Sequence, residues 1–198
     1  MRYKILFYSL LFTLSFLFLF NQINCKTEPE KKEMSKEEMI QRGGYLVHFG
    51  GCNDCHTPKV YGPNGPMEDT TRVLSGHPSD EVITPVPLEY IGPGKWAGIT
   101  NGHFTAWAGP WGISFAKNLT PDEATGTGTW TEEIFIQSMR TGKQMGHGRN
   151  LLPPMPWFNV GALTDEDLKS VFAYLKSLKP INNQVPEPIP PDSLSKIK

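Results

Sequence analysis

The stretch Gly51-Cys52-Asn53-Asp54-Cys55-His56-Thr57-Pro58 decides how the rest of this chain is to be read. It contains Cys-x-x-Cys-His, the attachment sequence for c-type haem. Two thiols three residues apart can each add to one vinyl group of the same porphyrin, and the histidine that follows is then placed under the iron as a ligand. A zinc site needs a second pair of Cys or His ligands at suitable spacing, and outside the motif the histidines are scattered, His77, His103 and His147 among them. A thioredoxin-like dithiol belongs between a strand and a helix in a βαβ pattern, which is missing, and it gives His56 no role. The expectation is one haem c, covalent through Cys52 and Cys55, with His56 on the metal.

Iron that carries electrons is usually held on both faces, by His and Met or by two His. Candidates for the second ligand are Met34, Met39, Met67, Met139, Met145 and Met155, with His48, His77, His103 and His147. Met155 stands apart because it lies in Leu152-Pro153-Pro154-Met155-Pro156-Trp157. Prolines fix φ and bias the residues before them to extended conformations, so this run predicts a stiff loop able to hold a thioether against iron. Met145 is the runner-up, in the glycine-rich Gln144-Met145-Gly146-His147-Gly148, where His147 reads as a surface residue.

Outward from the motif, Ser35 to Glu38 forms a capping box, and Met39, Gly43, Leu46 and Val47 follow at helical spacing. A helix from about Ser35 to Phe49 would deliver the chain directly into Cys52. Gly43-Gly44 costs such a helix about 1 kcal/mol per glycine relative to alanine, which calls for a close approach by another helix. The obvious partner begins at Thr164, carries Asp165, Glu166 and Asp167 in its first turn, buries Leu168, Val171, Phe172, Leu175 and Leu178, and stops before Pro180. A third helix should start at Thr129 or Thr131, turn Ile134, Phe135, Ser138 and Met139 inward and end near Gly142.

The segment between His56 and Trp130 has no sustained helical period. Val82-Ile83-Thr84 and Gly98-Ile99-Thr100 could be short strands, but prolines at 85, 87 and 93 argue against a sheet. Ordered loops packed over the porphyrin are expected instead, anchored by Trp96, Trp107 and Trp111. The Pro-rich tail 181–198 is expected to be extended or disordered and to run over the surface.

Composition fits this picture. The chain has 198 residues, with 19 basic and 20 acidic side chains, too balanced for a nucleic-acid binder, and its 3 cysteines exclude a disulfide scaffold. Its 19 Gly and 18 Pro predict much turn and loop. Residues 5–20 are an uncharged apolar block behind Arg2 and Lys4, which reads as an export signal over 1–24. Cys25 follows directly and resembles the acylated cysteine of bacterial lipoproteins, although Gln22 and Asn24 depart from the usual box. Residues 25–34 would then be a charged tether, and 35–180 the folded domain. An uncleaved N-terminal anchor is the alternative. Removing 1–24 takes away two basic residues and no acid, so the formal charge moves from −1 to −3.

Several further stretches carry a family resemblance. They are Gly44-Tyr45-Leu46 leading into the cysteine motif, Gly109-Pro110-Trp111-Gly112-Ile113-Ser114-Phe115, Asn118-Leu119-Thr120-Pro121-Asp122, Thr125 to Trp130, Met139-Arg140-Thr141-Gly142, and Pro153 to Pro156. Over about residues 38 to 186 the chain resembles class I c-type cytochromes, in particular modules of the cytochrome subunits of bacterial membrane-associated dehydrogenases. The resemblance implies an all-α, cytochrome c-like small helical domain with long ordered loops around one covalent haem, ligated by His56 and Met155. It also implies that Trp130 and Arg140 lie near the haem propionates, where an indole N–H and a guanidinium suit partly buried carboxylates. Many such modules occur in chains with two or three haem motifs, whereas this chain has one.

These readings lead to an exported mono-haem electron carrier, not an enzyme, working with protein redox partners and tied to a membrane through a Cys25 lipid or the N-terminal segment. The alternatives are an electron-transfer subunit of a dehydrogenase or reductase, and a haem protein with an open sixth site.

Overall fold

The computed structural model describes residues 33–197. The signal segment, Cys25 and nearly all of the charged tether lie outside the described residues.

The first helix, α1, spans Lys36–Phe49. Its start is closed on both sides, since the Glu38 amide donates to Ser35 Oγ at 3.3 Å and the Ser35 amide donates to Glu38 Oε2 at 2.7 Å. Left-handed Gly51 then turns the chain into the short helix α2, Cys52–His56. The hairpin β1, Lys59–Gly62, and β2, Gly65–Glu68, follows. Next comes a three-stranded antiparallel meander of β3, Ile99–Thr100, β4, Ala106–Gly109, and β5, Gly112–Phe115. Helix α3, Glu132–Thr141, is capped by Thr131 and ends at left-handed Gly142. A short α4, Trp157–Gly161, precedes α5, Asp165–Ser177, which Thr164 caps.

The crossing of α1 on α5 explains the glycine pair. A Cβ on Gly43 would collide with the Ser170 carbonyl and lie 2.8 Å from the Tyr174 Cβ, so the two backbones touch only because Gly43 has no side chain. At one edge, Arg42 Nε donates to Asp167 Oδ1 at 2.8 Å. Val47, Leu74, Phe135, Met139, Leu168, Val171, Phe172 and Leu175 make one continuous core beneath the helices. The rings of Phe135 and Phe172 stack with centroids 5.4 Å apart. Each such fully buried side chain contributes about 1.5–3 kcal/mol.

The fold is helical as expected, but two small sheets and a second core mean that it is not all-α. Ala106, Ala108, Ile113 and Phe115 of the meander pack with Val185 and Leu194. The prolines at 85, 87 and 93 all precede the strands, so they never had to enter the ladder. All four residues of β5 are buried, which erases the in-out alternation by which a strand is read from sequence. Gly112 makes the tight turn into β5 possible, with φ 95° and the Ile189 carbonyl lying where its Cβ would be. Of the two possible strands, Ile99–Thr100 forms and Val82-Ile83-Thr84 does not.

Two loop expectations also change. Trp107 and Trp111 are half-buried, but Trp96 is 69 % exposed, its ring largely in solvent. The tail is extended as far as Pro190 yet is held inside the fold. Ile189 exchanges both main-chain hydrogen bonds with Ile113, at 2.8 and 3.0 Å, and a 3₁₀ turn over Pro191–Lys196 buries Leu194. Asn183 donates to the carbonyls of Ser75 at 2.7 Å and His77 at 2.8 Å. The tail supplies side chains that the meander needs, because so small a sheet cannot cover its own face.

Candidate haem-binding site

Helix α2 presents Cys52 and Cys55 three residues apart, hence on one side of a single turn. Both are half-buried free thiols. Burial pushes the Cys52 thiol above its ordinary range. Burial does the same for Cys55, helped by Asp54 and opposed by the charge of Lys59 and by the Trp107 side chain against the sulfur. The two sulfurs are therefore neutral thiols at neutral pH, in a setting that disfavours stray thiolate chemistry.

His56 is buried, and its Nδ1 lies 2.8 Å from the main-chain oxygen of Lys117. A carbonyl can only accept, so Nδ1 carries the proton and Nε2 is left with its lone pair. Burial lowers the His56 pKa, against the raising effect of that hydrogen bond, so the ring is neutral. A neutral imidazole with one nitrogen engaged and the other free is the form that ligates a metal. The turn is fastened around it. The Gly76 amide donates to the His56 carbonyl at 2.8 Å, the Leu74 amide donates to Thr57 Oγ1 at 2.9 Å, and the Lys59 ammonium donates to the carbonyls of Asn53 and Thr57.

Met155 is half-buried and packs against the helical core, as do Cys52 and Trp130. The structure thus brings Cys52, Trp130 and Met155 to the border of one apolar cluster. The methionine loop is tied to the sheet, because Ser114 Oγ donates to the Pro153 carbonyl at 2.5 Å. Met145 is different: it is 39 % exposed, with φ 53° in the 3₁₀ turn Gln144–Gly146. His147 is exposed, as expected. Arg140 lies at the exposed end of α3, where its guanidinium donates to the Gly161 carbonyl and, at 2.5 Å, to Asp165 Oδ1.

This donor set fits a covalently held haem: two thiols on one turn, a neutral histidine oriented through its far nitrogen, and a thioether beside the same apolar cluster. Among the described residues no group of three or more His, Cys, Asp or Glu side chains is placed to hold a metal ion. A cleft of ≈ 240 Å³ on the sheet side is lined by His77, Glu81, Ile99, Asn101 and Ile113, and includes none of Cys52, Cys55, His56 and Met155. Sequence reasoning gave no role at the site to Lys117, Ser114 or Lys59, all brought in from outside α2. Lys59 and Ser114 lie on strands and Lys117 just after β5, and nothing in their local sequence signals that they will reach the cysteine turn or the methionine loop.

Comparison with known proteins agrees with the geometry. The cytochrome c family profile matches residues 40–179. The chain is 36% identical over 162 residues to the fructose dehydrogenase cytochrome subunit of Gluconobacter japonicus, covering 81% of this chain and 26% of that one. It is 34% identical over 148 residues to a subunit of the nicotinate dehydrogenase of Pseudomonas putida, covering 75% and 9%. The alcohol dehydrogenase (quinone) cytochrome c subunit of Gluconobacter oxydans is 26% identical over 157 residues, covering 76% and 24%. The chain therefore spans about a quarter or less of the length of these relatives. With a profile match across most of the described residues, and the cysteine motif on a buried, fastened turn, the chain belongs to the cytochrome c family and is similar to the cytochrome subunits of bacterial dehydrogenases.

Proposed function

We propose that this protein is an exported mono-haem c-type cytochrome that carries single electrons between protein partners at the periplasmic face of a bacterial membrane. Cys52 and Cys55 would hold haem c covalently, and His56 and Met155 would ligate its iron. The bound haem supplies Fe(III)/Fe(II) exchange. The observation that carries the reading is the His56 ring, neutral and oriented by Lys117 within the Cys-x-x-Cys-His turn. Support for Met155 over Met145 comes from its packing against the cluster that also borders Cys52. With His56 and Met155 both on the iron, no open position would remain for substrate chemistry, and the proposed role is carriage of electrons. Trp130, at the same cluster, and Arg140, already shared between Asp165 and Gly161, are the proposed donors to the propionates.

Membrane attachment through Cys25, or through an uncleaved N-terminal segment, belongs to this proposal. No described helix is long and apolar enough to cross a membrane. A second reading, that the chain is the electron-transfer subunit of a dehydrogenase or reductase complex, is favoured by its likeness to dehydrogenase cytochrome subunits. A stable partner co-purifying with the protein would select it.

The test is a redox titration of the purified protein followed through its optical spectrum, with haem retention measured after denaturation. One haem per chain surviving denaturation, in a six-coordinate spectrum, is expected. Haem that extracts freely would overturn covalent attachment, and rapid CO binding by the reduced protein would indicate an open sixth position.

A further inference from the structure

Lysine is almost never fully buried unless it is paired, because its ammonium is strongly hydrated. Lys59 is only 7 % exposed. Among the described residues it forms no ion pair with a carboxylate, although Glu68 stands across from it in the hairpin register. Its Nζ donates instead to two main-chain carbonyls, Asn53 at 3.0 Å and Thr57 at 2.6 Å. One belongs to the residue after Cys52 and the other to the residue after His56. The ammonium is thus clamped to the turn that holds both cysteines and the histidine.

Both ends of Lys59 are restrained. Its amide donates to His103 Nδ1 at 3.1 Å, and the Asp69 amide bonds the carbonyl of the preceding Pro58 at 2.8 Å. The side chain therefore cannot swing to solvent without breaking two short hydrogen bonds. The ammonium lies against the main chain on both sides of the Cys55-His56 pair, on the carbonyls of Asn53 and Thr57. A buried charge of this kind is poorly screened by salt.

Haem potentials respond to net charge and hydrogen bonding around the site. Ferric iron carries one more positive charge than ferrous iron, so a fixed cation nearby destabilises the oxidised form relative to the reduced one. We propose that Lys59 sets the reduction potential, its clamped ammonium raising it by favouring the state reached when Fe(III) accepts one electron from a docked redox protein. This rests on the covalent-haem reading above. It goes beyond that reading by assigning to Lys59 a role that neither ligation nor thioether attachment requires. The two carbonyl bonds also cap the C-terminal end of α2, so a capping role has to be separated from an electrostatic one.

The experiment compares the midpoint potentials of the wild type, Lys59→Gln, Lys59→Met and Lys59→Arg, titrated with small-molecule redox mediators. Glutamine keeps a donor for the α2 carbonyls and loses the charge; methionine loses both; arginine keeps the charge. The expected result is a shift to lower potential in Gln and Met, a return towards wild type in Arg, and unchanged haem content and axial-ligand spectrum in Gln. A Lys59→Gln potential equal to wild type would overturn the proposal. So would loss of covalent haem in both neutral variants with retention in Lys59→Arg, which assigns the residue to folding alone. Failure of the underlying reading is separable, because wild type would then lack covalent haem before any variant is compared.

Discussion

The Nδ1 atom of His56 donates to the main-chain oxygen of Lys117, 2.8 Å away and 61 residues later in the chain. The bond links the cysteine turn to the segment leaving β5, and β5 in turn holds the methionine loop through Ser114 and Pro153. Ring orientation on one side of the site and loop position on the other therefore depend on the same small sheet.

Replacing Met155 by alanine should abolish the weak methionine-to-iron absorption at the red end of the ferric spectrum and lower the potential, because the soft thioether favours ferrous iron. Met145→Ala should leave both unchanged. The reverse pattern in optical spectra and redox titrations of the two variants would transfer the ligand role to Met145.

Gly43→Ala should destabilise the fold by about 1–3 kcal/mol, the usual cost of forcing atoms into a packed interface. The added methyl meets the Ser170 backbone, which cannot move without displacing α5. Gly44→Ala should cost less, since its new neighbour is the Tyr174 ring at 3.1 Å, a side chain able to rotate. Urea denaturation of both variants decides the order.

Asn183→Ala should cost about 3 kcal/mol, because it strips partners from buried polar groups without replacing them. Asn183 accepts from the Ser79 amide at 2.9 Å and donates to the Ser75 and His77 carbonyls. Denaturation midpoints measure the loss, and an effect below about 0.5 kcal/mol would mean that the tail does not hold this region.

Asp69 closes the turn after the hairpin. Its carboxylate accepts from the Thr71 hydroxyl at 2.5 Å, from Arg72 Nε at 2.7 Å and from the Thr71 amide at 2.9 Å. These bonds, Thr71 first, hold its pKa at about 2 against the ordinary 3.8. A depressed carboxylate pKa adds stability that is fully present above the ordinary value and is lost as pH falls through the folded one. Asp69→Asn should therefore flatten the fall in stability between about pH 4 and pH 2. Parallel pH-dependent melting curves for the two proteins would contradict this.

The cysteine motif, the capping box at Ser35, the Thr164 and Thr131 caps and the apolar stripes of α1, α3 and α5 were legible because each is a local pattern. Spacing within one or two turns determines which side chains share a face, and no distant residue is needed to read it. Even the α1–α5 contact was signalled locally, as a glycine pair that a helix tolerates only where another backbone comes close. The meander was not legible, since burial on both faces leaves no alternation. Nor was the ordered tail, whose Val185 and Leu194 have meaning only against a sheet formed some eighty residues earlier. The same holds for Lys59, Ser114 and Lys117, which reach the site through main-chain carbonyls. Every residue offers that acceptor alike, so only the folded chain decides which carbonyl meets which donor.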